Sequence, residues 1–163
     1  MNAPSLLMRS HWLWQTVTKA IDSLRAPASM LARLYVGQAF FLAGLTKLRD
    51  WDITLLLFTE EYKVPLLSPE VAAVMGTAGE LVLPVLLVLG LAGRFAALGL
   101  SVVNVVAVLS LSEIAPAAMQ QHITWGVLLA VLVLYGLGKW TIDCLWIRPS
   151  IERRLRANSF ELI

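Results

Sequence analysis

Four long apolar runs, separated by short polar stretches, dominate the hydrophobic pattern of this chain. Each run approaches the roughly 20 residues that an α-helix needs to cross the hydrocarbon core of a bilayer. The pattern therefore predicts an all-α fold, an integral membrane four-helix bundle. We place the spans at residues 28–48, 71–92, 95–112 and 122–137.

An amphipathic segment precedes the first span. Its apolar residues recur at helical spacing, while its charged residues project elsewhere, and two tryptophans lie beside the apolar face. This pattern is typical of a helix that lies in the membrane interface, and a loosely ordered arm is the alternative. We assign residues 1–27 to an interfacial arm whose apolar face is Leu13, Val17, Ala20, Ile21 and Leu24.

A second short amphipathic segment occupies the loop between the first two spans. Trp51, Leu55, Phe58 and Tyr62 fall on one helical face, and most of the polar residues fall on another. We predict a short helix here that ends by Pro65 and lies across the mouth of the bundle. It acts either as an interface anchor or as a lid.

Composition supports membrane insertion. Of 163 residues, 58% are hydrophobic and only 15% are charged, and the mean hydropathy is +0.74. A soluble domain of this size could not bury so much apolar surface, so lipid must solvate part of it.

The basic residues flank the spans instead of forming an aromatic-interleaved patch, which argues against a nucleic-acid partner. Cys144 stands alone, so no intrachain disulfide and no CxxC motif is expected.

Basic residues are distributed unequally about the spans. Lys47, Arg49 and Lys63 lie on one side, and nine others lie opposite them. The positive-inside rule therefore predicts that both termini are cytoplasmic and that the first and third loops face the periplasm of a bacterium. Residues 144–163 form a basic cytoplasmic tail in this assignment. The nine are Arg9, Lys19, Arg25, Arg94, Lys139, Arg148, Arg153, Arg154 and Arg156.

Several polar side chains fall inside the predicted spans, where an ionised group is costly and usually paired. Glu80 is the only charged residue of the second run. Arg33 lies roughly 7 to 8 Å from mid-depth at about 1.5 Å per residue, which makes it the expected partner of Glu80. It shares a glycine-bearing face of the first span with Lys47. The candidate intramembrane site is Arg33, Gln38, Lys47, Glu80 and Asn104.

Two interpretations of this cluster remain open from the residues alone. The cluster is either a hydrogen-bonded core that fixes helix register, or a site for proton transfer or for contact with a lipophilic molecule such as a quinone.

A second candidate patch lies at the periplasmic edge of the fourth span, at Glu113, Gln121 and His122. One histidine and one carboxylate are too few for a closed metal site, so no metal is predicted.

Several short strings along the chain resemble the pattern of a known family. The string Leu31-Ala32-Arg33-Leu34-Tyr35-Val36-Gly37 with Phe41, Gly44 and Lys47-Leu48 is similar to the opening motif of the DoxX family of small membrane proteins. The similarity continues through Gly79-Glu80-Leu81, Gly90 and Arg94. It ends at Tyr135-Gly136-Leu137-Gly138-Lys139-Trp140-Thr141-Ile142-Asp143. It covers about Leu31 to Asp143, within the predicted four-span domain of residues 28–143, and Arg33, Lys47 and Glu80 match the arginine, lysine and glutamate of the family pattern.

The resemblance implies a four-helix protein of the bacterial inner membrane. The family takes its name from a membrane oxidase and thiosulfate:quinone oxidoreductase system, and some members associate with redox partners. We therefore expect a redox-linked accessory subunit with no cofactor of its own, a quinone as its ligand, and a protein partner or a homo-oligomer. The alternative is a non-enzymatic scaffold or assembly factor. A small-solute transporter is a third option, weakened because four short spans form a pore only by oligomerising.

Overall fold

A computed structural model describes residues 3–147 and residue 149 of the chain. The basic tail predicted for residues 144–163, with Arg153, Arg154 and Arg156, lies almost entirely outside the described residues. Within the described part the structure is helical, and a five-residue π-helical turn, Asp143–Ile147, ends it. The α-helices are α1 (Ala3–Arg49), α2 (Trp51–Glu60), α3 (Pro69–Leu89), α4 (Gly93–Ser110) and α5 (Pro116–Tyr135).

Four of these helices, α1, α3, α4 and α5, are long and apolar enough to cross a membrane. They coincide with the four predicted spans and confirm an all-α membrane bundle. The predicted short helix of the first loop is also confirmed, as α2.

The predicted start of a helix just after Pro27 is wrong. Helix α1 begins at Ala3 and continues through Pro27 to Arg49. Proline removes one backbone donor, which would otherwise bond to the carbonyl of Ser23. Both Ser23 and its neighbours on the helix are exposed, so that carbonyl is not trapped against packed side chains. The proline therefore does not end the helix, and α1 extends well beyond a single bilayer crossing.

Local sequence accounts for the other helix ends. Ser68 caps α3 by accepting a hydrogen bond from the Val71 amide, and Gly90 ends it in the left-handed region at a φ of 69°, where glycine is favoured. Helix α5 begins at Pro116, six residues before its predicted start. Proline fits the first helical position because its missing amide would have no helical partner there.

Helix α2 packs on the first turns of α3. Phe58 is buried against Ala72 and Ala73, with Trp51 and Leu55 at the edge of the cluster. The side chain of Asp50 caps its start, accepting from the Ile53 amide at 3.1 Å. The predicted apolar face is the face that is buried. We refer to the side of the bundle that carries α2 and the first turns of α3 and α5 as the α2 end.

Helix α1 packs mainly against α3, and α4 packs against both α3 and α5. Two glycines of α1 allow the backbones of α1 and α3 to approach closely. A Cβ on Gly37 would lie 2.8 Å from Val88 Cγ2, and one on Gly44 would lie 2.9 Å from Leu81 Cγ. The core common to the four spans includes Val36, Phe40, Leu87, Ala97, Leu100 and Leu129.

Replacing Gly44 by Ile will therefore destabilise the bundle, because the added side chain overlaps Leu81 and Glu80. Overpacking of this kind costs about 1–3 kcal/mol. Ala43→Ile is the matched control, since Ala43 is exposed on the same turn. Unfolding by sodium dodecyl sulfate in mixed micelles should show a lower midpoint for Gly44→Ile alone. Equal midpoints for the two variants would contradict the close approach.

Candidate functional site

Glu80 forms an ion pair with Lys47 at the α2 end of the bundle. Lys47 Nζ lies 2.5 Å from Glu80 Oε1 and 2.6 Å from Oε2, so the ammonium donates to both carboxylate oxygens. The Glu80 side chain is 8% exposed and the Lys47 side chain 21% exposed. A pair in this environment is held together by a strong attraction, but each ion has lost most of its hydration.

The glycine-bearing face of α1 brings the two ions together. A Cβ on Gly44 would lie 3.1 Å from Glu80 Cβ, so the backbone of α1 passes directly beside the acid. Lys47 lies one turn further along the same face and extends its side chain to the carboxylate. The sequence correctly places Arg33, Gly37, Gly44 and Lys47 on the buried face of the first span.

Helix α2 covers this ion pair. The ring centroid of Phe58 lies 6.0 Å from Lys47 Nζ, and Thr54 Oγ1 donates to the Lys47 carbonyl at 2.9 Å. Tyr62 packs edge-on against Phe58, with ring centroids 5.0 Å apart. Burial, together with the carboxylates of Glu61 and Glu80, raises the pKa of the Tyr62 phenol. Tyr62 therefore remains a neutral hydrogen-bond donor in the physiological range.

The predicted pairing of Arg33 with Glu80 is wrong. Arg33 lies at the opposite end of the bundle, where Nη1 donates to the Val88 carbonyl at 3.1 Å and Nη2 to the Trp140 carbonyl at 2.6 Å. The side chain is fully buried, and no carboxylate pairs with it among the described residues. The midpoints of the predicted spans do not determine which residues meet, because the axial register of two helices is set by their packing.

Helix geometry explains how a buried guanidinium is stabilised without an acid. Val88 belongs to the last turn of α3, where unpaired carbonyls carry a partial negative charge. Trp140 belongs to the segment after α5, and Ser29 Oγ also donates to this segment, at the Leu137 carbonyl. Arg33 thus ties the segment after α5 to α1 and to the end of α3, which is a structural role.

Asn104 joins the second candidate patch instead of the first. Its amide donates to the His122 carbonyl at 3.0 Å, and its Oδ1 lies 2.8 Å from His122 Nδ1. The His122 ring also packs edge-on against Trp125, with centroids 5.1 Å apart. Asn104 is buried, so the pair links α4 to α5 inside the bundle. Glu113 and Gln121 are exposed and do not bond to His122.

Gln38 does not face the bundle interior as predicted. It is exposed at mid-span and, among the described residues, its amide has no hydrogen-bond partner. It lines a groove of about 560 Å³ between α1 and α3 that is otherwise apolar, with Phe41, Pro84 and Val88 among its lining residues. The five predicted intramembrane residues therefore belong to four places: the Lys47–Glu80 pair, the Arg33 site, the Asn104–His122 pair and the groove.

Two further buried polar atoms were not anticipated from the sequence. Thr77 Oγ1 and Trp125 Nε1 have no partner among the described residues, and an unpaired buried polar atom is costly unless water or a ligand satisfies it. Thr77 lies one turn before Glu80 on the buried face of α3, a spacing that was visible in the sequence.

Among residues 3–147 no three His, Cys, Asp or Glu side chains come together as metal ligands.

Replacing Arg33 by Met should loosen the segment after α5, because both carbonyl contacts are lost and hydrogen bonds from charged groups contribute about 1.5–3 kcal/mol each. Amide hydrogen exchange in residues 136–145 should accelerate by about tenfold or more. Arg25→Met is the control, since Arg25 is exposed and pairs only with Asp22 on the same helix. Unchanged exchange in Arg33→Met would show that other contacts hold this segment.

Comparison with known proteins gives a family match. The sequence profile of the DoxX family matches residues 28–113, more than half of the chain. The matched region contains α2, α3, α4 and the membrane half of α1, and so it contains both ions of the Lys47–Glu80 pair. No curated protein and no solved structure matches the chain significantly. The chain thus belongs to the DoxX family and is a multi-pass membrane protein.

Proposed function

We propose that this protein is a redox-linked accessory subunit of the bacterial inner membrane, which exchanges protons with a quinone or a similar lipophilic carbonyl compound at the Lys47–Glu80 pair. The observation that carries the proposal is the pair itself. An acid and a base lie in direct contact, largely shielded from water, at one end of a membrane bundle. Buried charge of this kind is costly in a bilayer and usually marks a functional path.

The contacts of the pair are suited to proton exchange. The Glu80 carboxylate can accept one proton from a quinol hydroxyl, and the Lys47 ammonium stabilises the quinolate that remains. Oxidation of the quinolate to the quinone would then release the second proton to water at the α2 end and pass two electrons to a redox centre on a partner subunit. Thr77, one turn from Glu80, offers a hydroxyl whose hydrogen-bonding capacity is unused among the described residues.

The groove between α1 and α3 supports a lipophilic ligand. Its lining is apolar apart from Gln38, and Pro84 in its wall lies one helical turn from Glu80. A molecule dissolved in the bilayer could therefore lie in the groove with its tail in hydrocarbon, within one helical turn of the level of Glu80.

Binding of a short-chain ubiquinone tests this proposal. The double variant Lys47→Met/Glu80→Met removes both charges together, a change that buried pairs often tolerate without loss of stability. We expect its affinity for decylubiquinone in nanodiscs, measured by quenching of tryptophan fluorescence, to fall by about tenfold or more, since charge-assisted hydrogen bonds are lost.

The matched control is Lys63→Met/Glu60→Met, which removes an exposed base and an exposed acid near the same end of the bundle. It should bind the quinone as the native protein does. A Lys47→Met/Glu80→Met protein with native thermal stability and native affinity would refute the proposal. If the native protein neither binds decylubiquinone nor retains quinone on purification, the alternative function, a non-enzymatic scaffold, is favoured.

The orientation in the membrane is a separate proposal, with both termini cytoplasmic. Nine basic residues near the span ends lie on the side of the termini and three lie on the other side, and such a bias sets topology. A green fluorescent protein fused after residue 163 should fluoresce, and alkaline phosphatase inserted after residue 112 should be active. Activity of phosphatase fused after residue 163 would reverse the orientation.

A further inference from the structure

Helix α1 carries a second regular face, opposite the face that packs in the bundle. In its N-terminal half the apolar residues Trp14, Val17, Ile21 and Leu24 follow one another at alternating intervals of three and four residues. All four are more than half exposed. This spacing averages 3.5 residues, which is the heptad period of helices that wrap around each other.

The same spacing continues without a break into the membrane half of α1. After Ala28, the next positions in the register are Leu31, Tyr35, Gln38, Leu42 and Leu45, and every one is exposed. We call the positions from Trp14 to Leu45 the α1 seam. At about 1.5 Å per residue it extends for roughly 45 Å, further than the hydrocarbon core of a bilayer.

Lipid alone does not account for the seam. Exposed leucines within the bilayer are ordinary, but Gln38 lies at mid-span with no hydrogen-bond partner among the described residues. A polar side chain at this depth is expected to meet another polar group. The apolar heptad pattern also persists through the N-terminal half, which lies beyond the first predicted bilayer crossing. A partner that covers the seam must therefore pack against an apolar helix face and also form hydrogen bonds with the Gln38 amide.

We propose that a second copy of this chain covers the α1 seam, forming a parallel dimer through α1. Two copies inserted in one membrane with the same topology are related by a twofold axis along the membrane normal. Equivalent seam positions then meet, so Gln38 lies opposite Gln38 of the other copy. An amide is both a donor and an acceptor, so two amides satisfy each other. A single polar position in such a seam fixes register and partner number.

The proposed dimer uses a different face of α1 from the Lys47–Glu80 pair, since Lys47 lies on the opposite side of the helix from the seam. The groove between α1 and α3, however, includes Gln38 and Leu42. A second α1 would therefore cover the lipid-facing rim of the groove.

Cysteine cross-linking of the full chain in native membranes tests the dimer. On a Cys144→Ser background, Val17→Cys and Leu42→Cys sample the two halves of the seam. Lys19→Cys and Leu48→Cys are the matched controls, because both positions are exposed on α1 but lie off the seam. Copper phenanthroline should cross-link the two seam variants to disulfide dimers and leave the two controls monomeric.

A second measurement tests the contribution of the Gln38 side-chain amide to dimer stability. Gln38→Leu should raise the dissociation constant of the dimer in lipid by about three- to tenfold, as expected for one interhelical hydrogen-bonded pair in a membrane. Gln38→Asn, which keeps the amide, should remain closer to the native value. Dimer populations can be counted by single-molecule photobleaching in liposomes.

Three results would overturn the proposal. The first is equal cross-linking of seam and control positions. The second is cross-linking of Leu42→Cys without Val17→Cys, accompanied by quenching of the N-terminal tryptophans by brominated lipid, which would show that the N-terminal half lies on the membrane surface. The third is an unchanged dissociation constant for Gln38→Leu.

Discussion

Within hydrocarbon a polar side chain has no water to satisfy it, so it must find its partner in protein. This constraint explains where the charged residues of the bundle lie. Glu80 meets Lys47, and Arg33, which has no acid beside it, meets the carbonyls of Val88 and Trp140. An acid thus neutralises one cation of α1 and the carbonyl end of α3 stabilises the other. The same constraint makes Gln38, whose amide has no partner among the described residues, an exposed exception that calls for an explanation.

Much of the fold could be predicted from the sequence, because the length of an apolar run indicates a membrane-spanning helix and the spacing of its residues indicates which helical face is buried. The four spans, the helix at Trp51–Glu60 and the buried face of α1 are all visible in residue spacing. Helix ends were harder to predict. Pro27 is a plausible start for a span, but a proline also fits within a helix when the carbonyl it leaves free is exposed.

The pairing of the ions could not be predicted from span midpoints, because the close contacts of two glycines set the axial register of α1 against α3. Gly44 lies against Glu80 and Leu81, and Gly37 lies against Pro84 and Val88. The level of Glu80 on α3 therefore corresponds to residue 44 of α1, not to Gln38 at the middle of the predicted span. This offset of about a turn and a half brings Lys47 within reach and takes Arg33 out of reach. Close packing sets such a register, and a hydropathy profile carries no information about it.

The side of α1 on which Gln38 lies could, by contrast, be predicted from the sequence. Depth suggests an interior position, but Gln38 is not on the three- and four-residue series that carries Arg33, Gly37, Gly44 and Lys47. It is on the other series of α1, with Leu31, Tyr35 and Leu42. One helix therefore presents the ion pair on one face and the seam on the other.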